Sequence, residues 1–94
     1  MTGHLYKVTV EPLEDRKGNP VEASPLCFDA RCHDDLFAVV EKLQEKMPLS
    51  EADTQAFAVG LKLFSEVMMK NRDNPLFKSF KPAFTEFMMA LKKG

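Results

Sequence analysis

Two short runs hold most of the side chains able to act on another molecule. The first is Cys32-His33-Asp34-Asp35, with Cys27 just upstream. Thiolate, imidazole and carboxylate all bind zinc, and a thiol beside an imidazole is the makings of an activated nucleophile. The spacing argues against both. Cys27-x4-Cys32-His33 is not a zinc-finger spacing, and the other histidine, His4, supplies no second ligand pair. Neighbouring residues at a helix start diverge by about 100°, so Asp34 and Asp35 do not form an acid/base pair. The run reads best as a capped helix N-terminus, its aspartates at the positive end of the dipole. Free N–H groups there could take a small anion, but the two carboxylates oppose that.

The second run is Asn71-Arg72-Asp73-Asn74-Pro75. Asn and Asp at a helix–helix corner normally bond the turn's own backbone. Arg72 can instead grip a carboxylate or phosphate with two parallel bonds. The candidate binding residues are therefore Asn71, Arg72, His33, Asp34 and Asp35. Met68-Met69 and Met88-Met89 come in pairs. One of each fits a core stripe; Met69 and Met89 fall outside it, where methionine suits an adaptable partner surface. The chain has no glycine-rich phosphate loop and no nucleophile elbow. No metal and no cofactor are expected.

The elements that carry these runs can be read from periodicity. Leu5–Val10 alternates, with Tyr6, Val8 and Val10 on one face, which predicts a strand that stops at Pro12. Glu14–Pro20 is charged and turn-forming, and a second strand follows within 21–31. Leu26, Phe28 and Ala30 share a face there, and Pro25 points to an edge or bulge. The hairpin spans about 4–31. A first helix is expected over about 33–46, with Leu36, Phe37, Val40 and Leu43 buried. The second, about 50–72, is capped by Ser50. Its apolar strips, Phe57/Leu61/Phe64/Met68 and Ala56/Leu63/Val67, merge into an arc wider than an ordinary surface helix needs. Gln55, Lys62 and Glu66 form its narrow wet edge, and Gly60 points to a close helix crossing. The third helix, about 75–93, opens at Asn74-Pro75. Pro82 should kink or split it, with a break between Ser79 and Lys81. The fold class is α+β: a two-stranded antiparallel hairpin, then three helices, in one domain over 1–94.

The totals narrow the function classes. A net charge of −1 argues against a general nucleic-acid binder. The longest uncharged apolar run is far too short to span a bilayer, and the N-terminus lacks a signal peptide's apolar core. A cytoplasmic location is expected, with two free thiols. The charge is uneven: residues 1–59 hold six Lys/Arg against eleven Asp/Glu, and residues 60–94 hold seven against three. That split fits contact between the two halves, between subunits, or with an acidic partner.

Two blocks carry a family resemblance. One is His33-Asp34-Asp35-Leu36-Phe37-Ala38-Val39-Val40-Glu41-Lys42-Leu43. The other is Gly60–Arg72 followed by Pro75-Leu76-Phe77. With the opening strand they resemble a family of short bacterial proteins known only as a domain of unknown function. The resemblance covers nearly the whole chain. It implies a bacterial cytosolic single-domain protein and no reaction. It also implies asparagine where this chain has Cys32, a change that weakens the expected helix cap.

The expected function is a non-catalytic interaction or regulatory module that self-associates, most simply as a dimer. Its partner surface would be the sheet edge or the face near Met69 and Met89. The alternatives are a small-molecule or anion binder at Asn71/Arg72, and a metal or thiol enzyme at Cys32-His33-Asp34.

Overall fold

The computed structural model describes residues 2–93. Strands β1 (His4–Val10) and β2 (Leu26–Cys32) are followed by helices α1 (Leu36–Lys46), α2 (Glu51–Lys70) and α3 (Pro75–Lys93). The α+β order of hairpin and three helices is the one the sequence predicts. No helix among the described residues is long and apolar enough to cross a membrane.

The strands pair antiparallel, Tyr6 opposite Ala30, Val8 opposite Phe28 and Val10 opposite Leu26. The two apolar sets therefore share one face. In the loop, Asp15 Oδ1 accepts from the N–H groups of Lys17 and Asn19, both at 2.9 Å. Gly18 takes φ +88°, open to glycine at no steric cost. Pro25 lies just before β2 rather than within it, so it costs no ladder bond.

The first helix begins later than its sequence suggests. Pairing with His4 keeps Cys32 in the strand, and the chain bends through His33 and Asp34. Asp35, in an extended conformation, is the N-cap and accepts from Phe37 N. Tyr6 adds a second cap from β1, its hydroxyl accepting from Leu36 N at 2.9 Å. The helix then rests on Leu36 and Leu43, two turns apart. Phe37, expected inside, is one step off that line and 75% exposed.

Helix α2 is capped as expected, Ser50 Oγ accepting from Asp53 N at 3.1 Å. Its sidedness is not as expected. Glu66 is buried and Lys62 half-buried against His33 and Asp34 of the corner after β2, while Gln55, on the same edge, stays exposed as expected. Thr54 and Ala58 are fully covered. Ala56, Gly60, Phe64 and Val67, at helical spacing, are exposed instead. Nothing lies within 4 Å of where a Cβ on Gly60 would sit. The expected helix crossing at Gly60 is thus not made within the protomer.

Helix α3 folds back on α2 through aromatic rings. Phe64 meets Phe77, Phe80 and Phe84 with centroids 6.1, 5.9 and 6.0 Å away, and Phe57 meets Phe87 at 6.1 Å. Lys46 Nζ donates to the carbonyls of Leu91 and Lys92 at the far end, where a cation also suits the helix dipole. The expected division between Ser79 and Lys81 does not occur, because the helix runs unbroken through Pro82; a kink there is not confirmed. Both Lys78 and Pro82 are exposed, so the carbonyl that loses its amide partner lies on the watered side.

No residue of α3 is buried. The protomer exposes 7518 Å², against about 5500 Å² for a compact chain of its mass. Its radius of gyration, 15.5 Å, exceeds the roughly 12 Å expected of a globule of this length.

Candidate functional site

The polar run after β2 is taken apart by the fold. Cys27 and Cys32 lie on opposite faces of one strand. Cys27 is exposed and Cys32 buried. Burial first, then the charge of Glu66, pushes the Cys32 thiol up from its ordinary value, which disfavours the thiolate a nucleophile needs. His33, Asp34 and Asp35 go to three different partners. His33 donates from its backbone N–H to Glu66 Oε1 at 2.9 Å. Its ring Nδ1 reaches the same oxygen at 2.9 Å and Oε2 at 3.1 Å. A carboxylate only accepts, so Nδ1 carries the hydrogen in this pair. Asp34 pairs with Lys62 Nζ at 2.8 Å, and that bond holds its carboxyl below the usual range. Asp35 is spent on the helix cap. The run is a corner clamp, tying strand and helix to the polar edge of α2.

Glu66 is the residue that spacing missed. It is 8% exposed. Burial pushes its carboxyl up, but the two bonds and the charge of His33 outweigh that, and it titrates below its ordinary value. Its place in the sequence, beside Lys62 on a narrow polar strip, is equally that of a solvated glutamate. Only the position of β2 shows that the strip is covered.

The corner after α2 splits differently. Asn71 Nδ2 donates to Val67 O at 2.8 Å, and Asn74 Oδ1 accepts from Leu76 N at 2.9 Å. Both serve the turn and the cap, as such residues do. Arg72 has no ion-pair or hydrogen-bond partner among the described residues. It lines instead a groove of about 630 Å³ beside α2 and α3, as does His33. The floor is Met68, Phe77, Phe84 and Met88; Lys78, Lys81 and Lys92 continue the rim. Met69 and Met89, the two methionines outside the core stripes, both line it and are both more than half exposed. Of the five sequence candidates, the groove therefore gathers Arg72 and His33 and leaves Asn71, Asp34 and Asp35 to structural bonds.

A second groove, about 700 Å³, lies between β1, α1 and α2 and is lined by Tyr6, Lys7, Asp35, Phe37, Glu41 and Gln55 among others. Its charges are mixed in sign. Among the described residues, no three His, Cys, Asp or Glu side chains come together as metal ligands would.

Residues 4–93 match the model of DUF3861, described as a domain of unknown function with a solved structure. A crystal structure of a protein of unknown function from Pectobacterium atrosepticum is similar over 99% of this chain and 100% of that one. The two share 46% identity, with a TM-score of 0.86. No curated protein matches the chain.

Proposed function

This chain belongs to the DUF3861 family of domains of unknown function, and from that footing we propose that it is a non-catalytic interaction module that works as a homodimer. The observation that carries the proposal is the inverted sidedness of α2. Glu66 and Lys62 of its polar edge are covered at the corner after β2, while Gly60 and Val67 face water and Phe64, though it touches three rings of α3, stays 40% exposed. Leu76, Phe80 and Phe87 of α3 extend the same uncovered surface, and Phe64 touches Phe80 directly. A contiguous aromatic and aliphatic patch on two adjoining helices is uncommon on a monomer.

The area is sufficient. The protomer's surplus over a compact chain is about 2000 Å², and a stable interface takes about 800 Å² from each partner. A second copy is the occupant that fits, because an open glycine on a long helix allows close approach of an identical helix across a two-fold axis. Cytoplasmic placement is part of the same proposal and rests on the sequence alone. Sedimentation equilibrium at micromolar concentration is the test. A species of twice 10.7 kDa is expected, and a lone 10.7 kDa species would overturn the dimer.

A further inference from the structure

Helix α3 has two unlike flanks. One carries Leu76, Phe80 and Phe87, the self-association strip. The other carries Lys78, Lys81, Thr85 and Lys92, all lining the groove with Arg72. None of Arg72, Lys78, Lys81 and Lys92 has a carboxylate within ion-pair distance among the described residues. The rim is thus a row of uncompensated positive charge above an apolar floor of methionine and phenylalanine.

We infer that this groove docks an acidic amphipathic helix from a partner protein. The inference rests on the interaction-module proposal and names the partner's kind. Three features select that occupant. The cations are spread out: from Lys78 to Lys92 is about 21 Å of helix, too far for one head group to satisfy and suited to carboxylates repeated along a rod. The floor is apolar and rich in methionine, whose flexible thioether adapts to the knobs of an incoming helix. Arg72, from the α2–α3 turn, lines the groove as well, and its guanidinium offers a two-pronged grip on an acidic side chain. A nucleic acid would meet the same cations, but its sugar–phosphate edge gains nothing from the apolar floor.

The test is fluorescence anisotropy with a labelled peptide of about 16 residues, enough for several helical turns, with Leu on one face and Glu on the other. The expected result is binding at about 100 μM or tighter at low salt, and none by the same peptide with Lys in place of Glu. Lys78→Glu with Lys81→Glu should weaken binding about tenfold or more. Thr85→Trp, which fills the groove and keeps its charge, should also weaken it. Both variants should still sediment as the wild type does, so failure of the dimer and failure of the groove are separate results. Equal binding of the Lys peptide, no binding of the Glu peptide, or an unchanged affinity in the charge-reversed variant would overturn the inference. Binding of dodecyl phosphate without the Glu peptide would overturn it in favour of a single-headed amphiphile.

Discussion

Glu66 takes two bonds from His33, and among the described residues no other carboxylate is held so far from water. It titrates below its ordinary 4.5 in the folded chain. Between its folded and unfolded values the unfolded chain binds more protons, so stability falls as pH falls. Its contribution is complete above about pH 4.5 and is lost as the pH drops through the folded value. Asp34, also lowered, adds to the trend weakly because it is largely exposed. Glu66→Gln should cost about 1–2 kcal/mol at neutral pH and flatten the loss of melting temperature with acid, measured by circular dichroism. An acid limb as steep in Glu66→Gln as in the wild type would show that another group is responsible. The two thiols test the other half of the corner. Cys27 is exposed on the strand and Cys32 is buried with its thiol raised. A thiol reagent should modify Cys27 in the native chain and Cys32 only on unfolding, which mass spectrometry of the labelled peptides distinguishes.

The elements owe their ends to residues that could be read beforehand and their sides to contacts that could not. Ser50, Asn71 and Asn74-Pro75 end helices where their side chains can bond the backbone. The strand alternation and the Asp15–Gly18 turn are equally local. The start of α1 was not legible, because what holds Cys32 extended is its pairing with His4 at the other end of the hairpin. The inner face of α2 was not legible either. A wide apolar arc and a narrow polar strip leave both sides plausible, and only a strand ending in a bent polar corner makes the strip the covered one. The groove was half legible: Arg72 and the outlying methionines stood out, while nothing local marks Lys78, Lys81 and Lys92 as one rim. Pro82 marks where propensity loses to context. It sits inside a continuous helix at a cost of up to about 3 kcal/mol. Pro82→Ala restores an amide for the Lys78 carbonyl and should raise stability by about 1–3 kcal/mol, read from urea unfolding. No gain would mean the helix in solution is divided there after all.

The chain folds openly, with Val67, Leu76, Phe80 and Phe87 exposed, and the proposed dimer makes its stability depend on concentration. Gly60 separates this from a mere surface of exposed side chains. No side chain or neighbouring element lies within 4 Å of the place of its missing Cβ, so Gly60→Leu starts into open space within one copy and removes a helix-interior glycine worth about 1 kcal/mol. Judged by the protomer alone, that substitution stabilises. Across a two-fold interface the same change is made twice, at the point of closest approach. The expected outcome is therefore a split: Gly60→Leu raises the dimer dissociation constant about a hundredfold yet keeps a cooperative melt. Phe80→Glu, exposed in the protomer, should do the same by placing two carboxylates in the apolar contact. The proposed dimer predicts a wild-type melting temperature that rises with protein concentration, and both variants should lose that rise, since only a dimer gains stability by mass action. Wild-type melting that ignores concentration from micromolar to millimolar would instead leave the outward face of α2 free in solution. The open radius of the protomer would then have to be explained without a second copy.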